Sequence, residues 1–146
     1  MIYGTYEMAK KYSDAGKIEE WLQLFLRNDG KNIVLADGLL KEYRSYLPIR
    51  EIPIHILDNI KIGAPEYLIK ENEIEYFFSV VQNMKDSTKK WNPPPLIIEF
   101  RDDYSFYVCD GRHRLEMFRQ LGNKYVPAIV WITEEKNIDK LGEILK

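Results

Sequence analysis

Residues 104–122 read YSFYVCDGRHRLEMFRQLG. Within this stretch the spacing of apolar side chains changes from that of a strand to that of a helix. The first six residues are mostly aromatic or β-branched and alternate in character, which predicts a strand. Asp110 and Gly111 come next and predict a turn, with Asp110 as the helix cap and a positive φ at Gly111. The following residues have apolar side chains at helical spacing, which predicts a short helix that ends at Gly122.

The first turn of this predicted helix is unusual because it is cationic. Two arginines and a histidine follow the glycine, next to the positive end of the helix dipole, where cations are locally unfavourable. Free backbone N–H groups at a helix start, together with arginine forks, suit phosphate oxygens. The predicted phosphate-binding residues are therefore Gly111, Arg112, His113 and Arg114.

A purely structural interpretation of the same residues stays open. Arg112 would then pair with Glu116 one turn further on, and Arg114 with a buried carboxylate from elsewhere in the chain. His113 would be a packed core histidine. A structure in which Arg114 is held by an internal aspartate or glutamate, with the mouth of the turn plugged, would end the case for phosphate binding.

The order strand, Asp-Gly, x-His-Arg, helix resembles the signature of the ParB/sulfiredoxin superfamily. The resemblance extends over about residues 48–132, with an opening strand, a first helix, a proline-led strand and a closing strand at 52–58, 73–85, 93–98 and 126–130. It implies an α+β fold, a small mixed sheet flanked by helices. It also implies that the loop and helix start carrying the motif bind nucleotide phosphates.

Members of this superfamily differ in what they do with the nucleotide. Sulfiredoxins have a reactive cysteine where this chain has Arg112, and Cys109 lies three residues earlier, so a cysteine-dependent sulfiredoxin is not expected. Partition proteins have Gly-Glu-Arg-Arg at 111–114 and add a helix-turn-helix domain, for which residues 133–146 are too few. Free serine kinases have Asp-Gly-His-His-Arg, which differs at one position from 110–114 and favours phosphoryl transfer.

Composition narrows the class of protein. The chain has 146 residues, 45% of them hydrophobic, with a net charge of −2 and one cysteine. These values are ordinary for a one-domain cytoplasmic protein without disulfides, and no apolar run is long enough for a membrane span. The acidic balance makes DNA a disfavoured partner without excluding a local basic patch. The oligomeric state is not indicated.

Periodicity divides the chain into a helical N-terminal extension, 1–47, packed on a core domain, 48–146. Within the extension it predicts helices at 6–12 and 17–28, a short buried strand at 33–35, and a helix capped by Asp37 that ends before Pro48. This last helix would turn Leu39, Leu40, Tyr43 and Leu47 inward.

In the core domain the pattern predicts strands and helices in mixed order. Strands are expected at 52–57, from residue 96, at 104–109 and at 125–132; helices are expected at 71–85 and 134–145, the last one capped by Thr133. Residues 58–70 form a long connection of the kind that often binds ligands.

The primary hypothesis is a nucleotide-binding protein, with a magnesium-dependent phosphotransferase or nucleotide hydrolase as its catalytic form. ATP, ADP or CTP would be the nucleotide, a small molecule the acceptor, and Mg²⁺ would bridge phosphate oxygens. The catalytic candidates are Asp110, which is otherwise only the helix cap, and His113. The accessory candidates are Asp58, Glu66, Glu71, Ser87, Thr88 and Lys89. The alternative is a non-enzymatic nucleotide- or DNA-binding switch or accessory module; no cluster of residues at metal-ligand spacing is present in the sequence.

Overall fold

The computed structural model describes residues 2–57, 71–87 and 92–146, and within the 71–87 helix it describes the side chains of residues 76–86. Helices cover both faces of a mixed five-stranded sheet. The predicted α+β class is therefore confirmed.

Six helices and five strands alternate irregularly along the described residues. The helices are α1 (Tyr6–Asp14), α2 (Ile18–Arg27), α3 (Ile33–Leu39), α4 (Glu71–Ser87), α5 (Arg112–Gln120) and α6 (Ile138–Ile144). The strands are β1 (Ser45–Tyr46), β2 (Arg50–Pro53), β3 (Leu96–Phe100), β4 (Phe106–Asp110) and β5 (Tyr125–Ile132). Two short 3₁₀ helices follow β2 and precede α6, at Ile54–Leu57 and Glu135–Asn137.

Strand β5 lies at the centre of the sheet. Both β1 and β2 pair with it antiparallel along one edge, and β3 pairs with it parallel along the other. The hairpin of β3 and β4 completes the sheet, and its register shifts between Ile97 and Ile98, where Ile97 pairs with Asp110. This irregularity places the end of β4 beside the start of β3, immediately before the turn into α5.

The two faces of the sheet are covered by different parts of the chain. Side chains of β3 alternate between the two faces: Leu96, Ile98 and Phe100 pack with α5 and α6, and Ile97 packs with α1, α2 and α3. Side chains on both faces are almost fully buried, and this burial is the main favourable contribution to folding. The three N-terminal helices therefore cover one face of the sheet and not the other.

The structure corrects the prediction for residues 33–47. The predicted strand at 33–35 is wrong, because Asn32 caps a helix there by accepting a hydrogen bond from the Leu35 N–H at 3.2 Å. The helix predicted to begin at Asp37 is also wrong, since Leu40 and Tyr43 are 67% and 75% exposed. Residues 45–46 pair with β5 instead, and sheet pairing outweighs a helical spacing of apolar residues.

Smaller corrections concern two element ends. The predicted strand at 52–57 ends at Pro53, where the chain enters a 3₁₀ helix. Thr133 caps no helix; its hydroxyl accepts a hydrogen bond from the Arg44 guanidinium. The division at residue 47 stays a prediction, with β1 lying before it. Over the parts of the chain that the structure covers, no helix is long and apolar enough to cross a membrane.

Candidate functional site

The turn between β4 and α5 is built around Gly111. This residue has φ +107° and ψ 21°, and it, not Asp110, is the N-cap of α5. A Cβ at this position would lie 2.7 Å from Leu96 Cδ2 and 2.8 Å from Arg114 Nη2. Glycine is therefore required both by the backbone conformation and by the close approach of the arginine. The predicted positive φ is confirmed, and the predicted capping role of Asp110 is wrong.

Arg114 points into the protein and is only 7% exposed. Its Nη2 donates to the Pro95 carbonyl at 3.0 Å and to Asp110 Oδ2 at 3.2 Å. Its Nε is buried and has no hydrogen-bond partner among the described residues. The structural interpretation thus holds for this side chain, whose buried carboxylate comes from the motif itself.

Asp110 is held by two partners. Its Oδ1 accepts a hydrogen bond from Asn32 Nδ2 at 3.1 Å, and its Oδ2 accepts the bond from Arg114. The Asp110 side chain is 15% exposed. Because both oxygens already accept charge-assisted or amide hydrogen bonds, this carboxylate is better placed to hold the turn than to accept a proton from a substrate.

His113 packs against α4. Its ring stacks on Phe77, with centroids 4.4 Å apart and an interplanar angle of 25°. Burial lowers the pKa of His113, and the neighbouring charges of Arg112 and Arg114 lower it further, while Asp110 acts in the opposite direction. The imidazole is therefore neutral at neutral pH and can donate one hydrogen bond.

Arg112 is the exposed cation of the motif. The expected pair with Glu116 does not form, since Glu116 accepts from Gln120 Nε2 at 3.2 Å and lies 3.9 Å from Arg119 Nη1. Within residues 2–57, 71–87 and 92–146, Arg112 makes no ion pair. No carboxylate of these residues therefore competes with an external anion for its guanidinium.

Several predicted residues cannot be placed at this turn. Four of them lie outside the described residues: Asp58, Glu66, Thr88 and Lys89. The other two, Glu71 and Ser87, lie at the two ends of α4, where the structure does not describe the side chains. Among the described residues, no group of three or more histidine, cysteine, aspartate or glutamate side chains could hold a metal ion.

Cys109 precedes the turn but is not activated. Burial raises the pKa of its thiol to about 12, and the charge of Glu99 adds to this effect. Since the thiolate is the nucleophilic form, this shift works against a nucleophilic role for Cys109 at neutral pH.

Two contacts from the N-terminal helices reach this site and were not predicted. Asn32 contacts Asp110 across 78 residues of sequence, and the Arg114 guanidinium carbon lies 5.9 Å from the centre of the Phe25 ring. Asparagine before an apolar run is a recognisable cap signal, so the sequence could have indicated the start of α3. No local pattern could have indicated that Asn32 also contacts Asp110.

Comparison with known proteins gives a loose structural likeness. No protein-family model matches the chain, and no curated protein matches it. A solved structure of a Pnob8-like ParB-N domain matches with 20% identity over 70% of this chain and 36% of that chain, with a TM-score of 0.38. The chain thus spans little more than a third of the length of that structure. Its name belongs to the superfamily that the motif resembles, but so loose a likeness carries no argument about function.

Proposed function

We propose that this chain binds the phosphate groups of a nucleotide at the phosphate turn, which we define as residues 110–114. The observation that carries the proposal is the exposed Arg112, which lacks an ion pair among the described residues, on the first turn of a nine-residue helix. The helix begins at Gly111, whose φ is +107°. A helix start of this kind attracts anions through its N–H groups and its dipole.

The residues of the phosphate turn have different roles in the proposed binding. Arg112 contacts the phosphates directly, and His113 donates a hydrogen bond from its neutral ring. Arg114 has a structural role, because its charge is balanced by Asp110. Its Nη2 already donates to the Pro95 carbonyl and to that carboxylate. The attraction for an anion therefore comes mainly from Arg112 and the helix dipole, and Arg114 keeps the turn in the binding conformation.

Binding is better supported than catalysis. The resemblance to free serine kinases favours phosphoryl transfer, and Mg²⁺ would then be held by phosphate oxygens, water and one or two carboxylates. Asp110 is the carboxylate of the turn, and both of its oxygens are engaged. This observation favours the second candidate function, a nucleotide-binding switch or accessory module without turnover.

Calorimetric titration tests the binding proposal. The probes are ATP, ADP and CTP in Mg²⁺, and tripolyphosphate as a probe without a base. We expect heat and a raised melting temperature with at least one of them. Arg112→Gln should weaken binding about tenfold, because it removes one charge-assisted contact. Arg27→Gln is the matched control, since Arg27 is a partly exposed arginine on α2 that pairs with Asp37.

Two results would overturn the proposal. One is the lack of both heat and thermal stabilisation with all four probes. The other is equal loss of affinity in the Arg112 and Arg27 variants, which would indicate a general charge effect. Phosphorus NMR of the protein with ATP or ADP and a pool of metabolites separates the two candidate functions. Unchanged phosphate signals after long incubation would favour the switch.

A further inference from the structure

We infer that Asn32 is a positioning residue of the phosphate turn, through which the N-terminal helices hold the Asp110–Arg114 pair in place. The inference rests on the proposed function and names a residue, far away in sequence, that the bound ligand would depend on. Asn32 belongs to the start of α3, and its amide links this helix to the end of β4.

The Asn32 amide is fixed at both ends. Its Oδ1 accepts from the Leu35 N–H at 3.2 Å and caps α3, and its Nδ2 donates to Asp110 Oδ1 at 3.1 Å. The flipped amide would set its oxygen against the carboxylate and its NH₂ against a backbone N–H, so both contacts would become repulsive. The amide cannot leave Asp110 by rotation without also uncapping the helix.

The same helices also place an aromatic ring beside Arg114. Phe25 stacks on Trp21, with ring centroids 4.8 Å apart and planes 6° apart. Two glycines let the ring sit there, since a Cβ at Gly4 or Gly30 would lie 2.8 Å or 3.0 Å from its atoms. The Arg114 guanidinium is 5.9 Å from this ring, close to the outer limit of a cation–π contact. Phe25 is thus a weaker second support behind the arginine.

The effect of Asn32 on the turn is transmitted through Asp110. One carboxylate oxygen is held by Asn32 and the other holds Arg114, whose Nη2 occupies the space beside Gly111 that a Cβ would fill. Without the Asn32 donor the carboxylate can rotate, and the arginine is then held in place only by its hydrogen bond to the Pro95 carbonyl. The backbone N–H groups of the turn would no longer be held in one arrangement for a ligand.

Two substitutions separate the bond to Asp110 from the helix cap. Asn32→Asp keeps a capping oxygen but replaces the donor with a negative charge that faces Asp110. Asn32→Ser keeps a cap, and its shorter side chain cannot reach the carboxylate. We expect both variants to bind ATP in Mg²⁺ about tenfold more weakly than wild type, because binding must then also order the turn.

Thr5→Ala is the matched control. Thr5 caps α1 by accepting from the Met8 N–H at 3.2 Å, so this change removes a cap of the same kind on another N-terminal helix. It should lower the melting temperature and leave the affinity for ATP unchanged.

A spectroscopic measurement distinguishes positioning from loss of stability. Arg114 and Arg44 each have a buried Nε without a hydrogen-bond partner in the described chain, so both should give slowly exchanging proton–nitrogen NMR signals. Asn32→Asp should shift the Arg114 signal, assigned by its loss in Arg114→Met, and leave the Arg44 signal in place. Destabilisation of α3 would instead shift the Arg44 signal as well, because Arg44 Nη2 donates to the Gly38 carbonyl on that helix.

Failure of the proposed function and failure of the inference about Asn32 give different results. If wild type binds none of the probes, the proposed function fails, and the role of Asn32 in ligand binding fails with it. If wild type binds and the Asn32 variants bind equally well, or if the Arg114 signal does not move, the proposed function stands and the inference about Asn32 is overturned.

Discussion

Among the described residues, two arginines have a buried Nε without a hydrogen-bond partner, and their surroundings differ. Arg114 lies at the phosphate turn and Arg44 lies just before β1, with side chains 8% and 14% exposed. Arg114 donates to the carboxylate of Asp110, which is itself largely buried. Arg44 donates to two neutral oxygens, the Thr133 hydroxyl and the Gly38 carbonyl, and its guanidinium carbon lies 4.9 Å from the centre of the Trp131 ring.

The difference shows which arginine is needed for its charge. The carboxylate paired with Arg44 belongs to Glu42, which is 62% exposed and 3.6 Å away, so water would replace the arginine as its partner. Asp110 has no such exposure. We conclude that Arg44 serves mainly in packing over Trp131, whereas Arg114 balances a buried negative charge.

The largest effect is expected from Arg114→Met, which keeps the volume of the side chain and removes its charge. The Asp110 carboxylate would be left without a cation, and the free energy of unfolding should fall by about 3 kcal/mol. Urea denaturation measures this change. In the double variant with Asp110→Asn, much of the loss should be recovered, because no unpaired charge remains buried. Additive losses in the double variant would contradict the proposed coupling.

Gly111→Ala should have the next largest effect. The new Cβ would meet both Leu96 and Arg114 at a positive φ, and we expect a cost of about 2 kcal/mol. Gly122→Ala is the control, since Gly122 also has a positive φ and a Cβ added there would have no described atom within 4 Å. Its cost should be about 1 kcal/mol, from backbone strain alone. Equal melting temperatures for the two variants would show that the contact with Arg114 contributes nothing.

The sequence predicts the phosphate turn well because the turn is local. A strand pattern, Gly111 and a helical pattern are adjacent, so the strand, the positive φ and α5 could all be predicted. The placement of Arg114 on the buried side of α5 also follows from its helical position. Its partner was not predicted, because the sequence indicates a buried carboxylate from elsewhere in the chain, whereas Asp110, one turn earlier, supplies it.

The local sequence pattern gave wrong predictions where the structure depends on pairing between residues far apart in the sequence. Residues 45–46 join the sheet because β5, more than 80 residues later, offers an edge, and nothing near them indicates this. The contact of Asn32 with Asp110 has the same origin. Sheet pairing and single hydrogen bonds between distant residues follow from the fold as a whole, which the local pattern does not specify.

Arg44→Met should have a smaller effect than the same substitution at Arg114. The methionine keeps an apolar side chain over Trp131 and loses the hydrogen bonds to Thr133 and Gly38, so we expect a cost of about 1 kcal/mol by urea denaturation. A loss as large as that of Arg114→Met would mean that the charge of Arg44 is needed as well, and the distinction between the two arginines would fail.

The smallest expected effect concerns the pKa of His113, which depends on the neighbouring charges of the phosphate turn. Its pKa is lowered first by burial and then by Arg112 and Arg114, so Arg112→Gln should raise this pKa and Arg44→Met should not change it. NMR titration of the imidazole signals measures both, and His55→Gln identifies the signal of the other histidine.

The direction of the accompanying change in stability follows from the same shift. Because the folded-state pKa of His113 lies below the unfolded value of about 6.5, the neutral imidazole favours folding above that pH. This contribution is lost as the pH falls through the folded-state pKa, and His113→Gln should remove the corresponding slope. An anion bound at the turn would favour the imidazolium and raise the pKa of His113, so the affinity of wild type for ATP should gain more on acidification than that of His113→Gln. An identical pH dependence in the two proteins would place the phosphates away from His113 and leave Arg112 as the ligand contact of the turn.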